Sequence, residues 1–262
     1  MNRRSLYKYG SFEGEGVAYL KEVLLESKIY FSNPFHFNDP FECRPRLEIG
    51  TSQEYRETAM QEVLSILSKR LPHTPRQKIT LEASIAQSKL GDFYGSLGNQ
   101  YELLLEDFGV YCLSAKKDNL LMWAHYGQAH TGYCLEFDAS EETFFGKAHK
   151  VHYQKEYPVV RMIPSDPNRG KKGLLTKSSD WAYEEEWRIT NPKGPGHIYF
   201  PPHELVGIIF GCKAKAEIAG IIRKMITSRQ YPIKICRAAI NSSYYKLDII
   251  ELLLKRTEFS GL

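Results

Sequence analysis

The sequence predicts an α+β chain: a mixed, mostly antiparallel sheet with flanking helices and a helical insertion. Three observations carry this. Short runs rich in Val, Ile, Tyr and Phe recur along the chain between Gly, Pro and Asn stops. Helical spacing of apolar residues is confined to a few stretches. The two kinds of segment do not alternate regularly, as a parallel doubly wound sheet would require. With 262 residues, 42% of them hydrophobic and 25% charged, the chain has ordinary globular composition and can bury one substantial core. Residues 1–262 are therefore read as a single domain.

Taken in order, Ser5-Leu6-Tyr7-Lys8-Tyr9 reads as a first strand ended by Gly10. Val17, Leu20, Val23 and Leu24 have helical spacing and predict a helix over 17–28, and strand character returns in Lys28-Ile29-Tyr30-Phe31-Ser32. Asp39-Pro40-Phe41-Glu42 has the pattern of a helix start, with Asp as N-cap, Pro first and Glu three residues on. Residues 53–108 are mostly helical, broken at Pro72, Pro75 and Gly91, and form a helical insertion or lid. A strand follows at Gly109-Val110-Tyr111-Cys112-Leu113-Ser114, then a short helix over 120–128 capped by Asp118 or Asn119. Strands are expected over 132–137 and 150–154, and a mobile basic loop over 166–177. Trp181 to Thr190 reads as another strand, followed by strands at 198–200 and 206–211, a helix over 214–229, and strands near 233–236 and 246–254.

The bulk numbers exclude more than they assign. A formal charge of +4 permits a polyanionic partner without implying one. Five scattered cysteines without a Cys-x-x-Cys pair read as free thiols of a reducing cytoplasm, and Met1-Asn2-Arg3-Arg4 does not open a signal peptide. No apolar run approaches the roughly 18 residues of a membrane span. The histidine pairs His125/His130 and His149/His152 do not match the His-Glu-x-x-His zinc pattern, so no metal is expected there.

Chemistry is concentrated in a few places. On the Trp181–Thr190 strand, Glu184, Glu186 and Arg188 share one face, with the two carboxylates roughly 6.6 Å apart. Such a row is either an ion ladder or the electrostatic centre of a site. Two carboxylates that close repel, and one holds a raised pKa unless a cation such as Arg188 answers them. The Asp39 turn serves as a cap alone, or as a cap plus ligand contact through Asn38 and the aromatics Phe35, Phe37 and Phe41. Trp123 and Tyr126, three residues apart on a helix, are either core or the wall of a pocket in which Ser114 offers a hydroxyl. Arg169, Lys171, Lys172 and Lys177 are solvated surface or phosphate contacts, with Lys177 nearest the carboxylates.

Together, Leu6-Tyr7-Lys8-Tyr9, Phe37-Asn38-Asp39-Pro40-Phe41-Glu42, Met122-Trp123-Ala124-His125-Tyr126-Gly127 and Lys177…Trp181-x-Tyr183-Glu184-x-Glu186-x-Arg188 resemble the landmarks of a largely bacterial domain-of-unknown-function family. The resemblance spans residues 6–211 and implies no activity, although a bacterial defence or stress role is compatible with it. The order of first strand, then Gly109-Val110-Tyr111…Ser114…Tyr126, then a strand glutamate is also similar to the ADP-ribosyltransferase superfamily, in particular its poly(ADP-ribose) polymerase branch. That superfamily holds NAD with a first-strand His or Arg, a central Ser or Tyr, and a late Glu. Here Tyr7 or Lys8 stands where the His or Arg is expected.

The likeness implies NAD as substrate, with a small-molecule nucleotide in the site and a nucleic acid, a protein or water as acceptor. Glu186 or Glu184 stabilises the oxocarbenium-like ribose while its twin orients or deprotonates the acceptor. Tyr126 stacks on nicotinamide, Lys8, Lys177 and Arg188 face the pyrophosphate, and Tyr7, Asn38, Ser114 and Trp123 complete the cofactor site. Two other classes stay open. One is a magnesium-dependent nuclease or phosphodiesterase using Asp39, Glu42, Glu184 and Glu186. The other is a non-catalytic ligand-binding or interaction module.

Overall fold

A computed structural model describes residues 4–48, 108–161 and 169–252, with scattered positions between 57 and 105. Its centre is an eight-stranded sheet in the order β14-β13-β12-β5-β1-β4-β10-β6. The strands are β1 Ser5–Gly10, β4 Gly109–Ser114, β5 Tyr133–Asp138, β6 His149–Lys150, β10 Glu186–Asn191, β12 Leu205–Phe210, β13 Lys234–Ile240 and β14 Leu247–Glu251. All neighbours are antiparallel except β12 and β13, which run parallel. The chain between them contains helix α4, Ala216–Thr227, the crossover that parallel strands require. The expected α+β class with a mostly antiparallel sheet is what the fold shows.

Alternation along the strands sorts side chains onto two faces. One face carries Leu6, Tyr111, Leu113, Leu135, Phe137, Ile208 and Phe210 into the main core. That core is closed by helix α1, Gly16–Lys21, by the π-helical turn Glu22–Glu26 that continues it, and by α4. The helix expected over 17–28 is thus two kinds of helix, ended by Ser27 at φ +53. The other face carries Tyr7, Tyr9, Cys134 and Ile209, covered by Met122 and Trp123 of α2, Leu120–His125. The Asn119 side chain caps α2 by accepting from the backbone N–H groups of Leu121 and Met122.

Smaller pairings flank the sheet. β2 (Lys28–Phe31) pairs with β11 (Gly196–Tyr199), β3 (Arg46–Glu48) with β8 (Val159–Arg161), and β7 (His152–Gln154) with β9 (Thr176–Ser178).

Several expectations are corrected. Asp39 starts a single turn, not a helix. Its Oδ1 accepts from Phe41 N–H, its carbonyl accepts from Glu42 N–H, and Cys43 at φ +58 turns the chain away. The basic segment is not all loop, since it contains helix α3, Arg169–Leu174, and then β9. The strand expected from Trp181 begins only at Glu186. Ser179–Glu184 is a 3-10 helix whose first turn is capped by the Ser178 hydroxyl, accepting from Asp180 N–H. Ser and Asp side chains compete for backbone N–H groups in this way and break extended structure. The helical insertion or lid expected over 53–108 lies almost entirely outside the described residues.

Candidate functional site

β1 and β4 pair at one position, Tyr7 with Ser114. Beyond it they part. Val110, farther along β4, exchanges its backbone hydrogen bonds with Ser32, at 2.8 and 3.0 Å. β10 meanwhile stays paired with β4 along its whole length, from Glu186 opposite Ser114 to Asn191 opposite Gly109. Tyr7, Ser114 and Glu186 therefore form one row across three adjacent strands, at the point where the sheet splits. Directly paired residues project to the same face, so the row needs no special turn.

A cleft of about 250 Å³ occupies the split, with Tyr7, Lys8 and Tyr9 on one wall and Val110, Cys112 and Ser114 on the other. Asn38, Tyr126, Lys177, Glu184 and Glu186 line it as well. Lys8 alternates to the opposite face from Tyr7 and reaches the cleft because the strands separate there. Its Nζ lies 5.0 Å from the centre of the Tyr111 ring.

At the end of the row is a buried ion network. Lys177 Nζ donates to Glu184 Oε2 at 2.6 Å and to Glu186 Oε2 at 3.2 Å, and pairs with Glu42 Oε2 at 3.3 Å. Arg188 grips Glu186 with two donors, Nε at 2.7 Å and Nη2 at 2.9 Å. The same Nη2 bonds Glu42, while Nη1 donates to the Leu174 carbonyl at 2.7 Å. The Tyr126 hydroxyl donates to Glu184 Oε1 at 2.7 Å, and the Tyr153 hydroxyl accepts from Glu186 N–H at 2.8 Å. All five charged residues are buried.

Three carboxylates therefore face two cations, which leaves the ionised cluster one negative charge in excess. Burial raises the pKa of Glu186; Lys177 counters the rise and Glu184 adds to it. Burial alone would lower the Lys177 pKa, but Glu186 and Glu184 outweigh it and the ammonium pKa is raised. Burial brings Arg188 down to about 9, still a cation at neutral pH. Desolvation, with the Glu136 charge second, lifts the Tyr7 hydroxyl to about 12, so it remains protonated.

Of the ten residues singled out from sequence, eight line this cleft: Tyr7, Lys8, Asn38, Ser114, Tyr126, Lys177, Glu184 and Glu186. Arg188 lies behind it, fully buried, and acts through Glu186 rather than facing a pyrophosphate. Trp123 is also fully buried. It packs edge-on to Tyr9 at 5.2 Å and donates to the Lys117 carbonyl, so it supports the site from beneath. Glu184 is not on the strand with Glu186; it comes off the 3-10 helix, past Glu185 at φ +41, and meets Glu186 through Lys177. The Ser114 hydroxyl donates to the Glu184 carbonyl at 2.6 Å and accepts from Lys116 N–H, so it anchors that turn.

Glu42 and Tyr153 belong to the cluster and were not placed in the NAD site from sequence. The Asp39-Pro40-Phe41-Glu42 run marked Glu42 as polar and placed beside aromatics, but nothing local indicated that it would meet Lys177 and Arg188. For the magnesium reading, Glu42, Glu184 and Glu186 do converge, but around Lys177 and Arg188, whose donors fill the space between them. Asp39 lines a neighbouring cleft instead. Among the described residues, no group of His, Cys, Asp and Glu has a metal-ligating arrangement, and no helix is long and apolar enough to cross a membrane. None of the five cysteines is paired.

No curated protein and no solved structure matches the chain. A family model described as a protein of unknown function, DUF2971, matches residues 122–189, the stretch that carries Tyr126, Lys177, Glu184, Glu186 and Arg188.

Proposed function

We propose that the protein binds the nicotinamide end of NAD in the split between β1 and β4 and breaks the nicotinamide–ribose bond, as an ADP-ribosyltransferase or NAD glycohydrolase. The observation that carries this reading is the register of Tyr7, Ser114 and Glu186 across three neighbouring strands at the mouth of a cleft. It is the order first-strand residue, central Ser, late Glu that the resemblance to ADP-ribosyltransferases implies.

Charge supports the same chemistry. As the bond to nicotinamide breaks, positive charge develops on the ribose. The cluster beside the cleft carries one negative charge too many, and burial makes that excess costly, as the raised pKa of Glu186 reflects. The nicotinamide ring of NAD is already a cation, and cleavage moves that charge from the ring onto the ribose. A carboxylate set at the ribose therefore holds the transition state more tightly than the ground state, and the barrier falls. Glu186 is held rigidly for this by the two-donor grip of Arg188. Glu184, with one oxygen taken by Tyr126 and the other by Lys177, orients Tyr126 and does not act as a base. The Tyr126 ring lines the cleft where nicotinamide would stack. Lys8 has no carboxylate partner among the described residues and would answer the pyrophosphate. A cleft of about 250 Å³ lies below the roughly 300–1,000 Å³ of typical ligand pockets, so it takes one end of the dinucleotide.

The test is incubation of the purified protein with NAD, alone and with nucleic acid or protein acceptors, while free nicotinamide is followed by chromatography. Nicotinamide release is expected, and Glu186→Gln should lower it about 100-fold or more. Release without acceptor indicates a glycohydrolase; label retained on an acceptor indicates a transferase. No release in any mixture would overturn the reading. Binding of NAD that survives Glu186→Gln with no turnover in either protein would leave a binding module.

A further inference from the structure

A second cleft, of about 740 Å³, adjoins the first and shares Asn38 and Lys177 with it. Its wall is aromatic. His125, Trp181 and Tyr183 form a triangle with ring centres 6.0 to 6.4 Å apart. Phe41 and Tyr157 complete the lining and are 65% and 47% exposed. Exposed rings gathered around a concavity mark a place where something else covers them. Lys177 Nζ lies over the Trp181 ring, 5.0 Å from its centre.

We infer that this cleft binds a planar heteroaromatic base, from a free nucleoside or from a single-stranded nucleic acid. Three features specify that chemistry. The rings offer stacking surface, which every nucleobase can use whatever its sequence. His125 Nδ1 is hydrogen-bonded to the Tyr183 hydroxyl at 2.9 Å, which holds the imidazole so that Nε2 can read a base edge. The charges of the wall are matched, Arg44, Lys155 and Lys177 against Asp39, Glu156 and Asp180, so there is no cradle for a polyphosphate and the ring itself must supply the affinity. The site stands independently of the NAD reading, because base binding requires neither Glu186 nor turnover.

Calorimetric titration without NAD tests it, using adenosine in one arm and a short single-stranded oligodeoxyadenylate in the other. Saturable binding is expected in at least one arm. Tighter binding of the strand identifies nucleic acid as the source, and equal or exclusive binding of adenosine identifies the free nucleoside. Trp181→Leu should weaken binding about tenfold or more. Tyr157→Ala, at an exposed position where folding is not at stake, should weaken it as well. No binding of either ligand at millimolar concentration, or binding untouched by both substitutions, would overturn the inference. A protein that binds bases but leaves NAD intact would retain this site and lose the proposed chemistry.

Discussion

Glu186 is the residue on which the local physics converges. Buried, gripped by Arg188 and shared with Lys177, it has a raised pKa, so it takes up a proton at a pH where an exposed glutamate would already be ionised. For an acid raised by folding, the native state is favoured below the ordinary value near 4.5, and that advantage is lost as pH rises through the raised value. The proposed reaction needs the ionised form. Its acid limb should therefore lie above pH 4.5, in the activity profile of the wild type. A profile flat down to pH 4.5 would remove Glu186 from the reaction. Lys177 is the complementary case. Lys177→Met leaves Glu42, Glu184 and Glu186 with Arg188 alone, and breaking a buried pair in this way costs about 3–5 kcal/mol. The loss, read by urea denaturation, should be smaller at pH 5 than at pH 8, because protonation of Glu186 relieves part of the repulsion. An unchanged midpoint at both pH values would mean that the network contributes nothing to the fold.

At the scale of elements, α2 illustrates what helical spacing leaves open. Trp123 and Tyr126 are three residues apart, yet they do different things: Trp123 is sealed into the core and Tyr126 opens into the cleft. The division arises at the helix end, where Tyr126 is the C-cap at φ −111 and the chain then enters a run of left-handed residues from Gln128 to His130. Gly127 permits the turn. A Cβ there would lie 2.6 Å from the Trp123 ring and 2.9 Å from its carbonyl oxygen. Gly127→Ala should therefore destabilise the protein by about 1–3 kcal/mol through overpacking, measured by urea denaturation. Stability equal to wild type would show that Trp123 has room to move. The 3-10 helix at Ser179–Glu184 teaches a similar lesson. Aromatic and β-branched residues read as strand, but Ser178 and its cap overrode that preference and swung Glu184 out of line with Glu186.

For the whole molecule, the decisive feature is that one sheet divides between β1 and β4 while staying continuous on either side. A ligand in that split joins both halves and binds only the folded state. Saturation to about 100 times the dissociation constant would add about 2.7 kcal/mol. For a chain of this size that corresponds to a rise in melting temperature of about 5–10 °C with NAD, read by thermal denaturation. No shift at millimolar NAD would argue against the site. Legible in the chain were the class of fold, most of the strands, a cap at Asp118 or Asn119 that the fold assigns to Asn119, and eight residues that line the cleft. Class, strands and cap follow from period, turn chemistry and residue type, which act over a few neighbours, whereas Tyr7 and Lys8 enter the site through the resemblance to ADP-ribosyltransferases. Three features needed the fold: β1 leaves β4 after a single pair, Glu42 joins Lys177 and Arg188 across more than a hundred residues, and Trp123 and Arg188 stand behind the cleft. Strand order and charge pairing are settled by which buried surfaces and ions satisfy one another, and no local stretch of sequence records that.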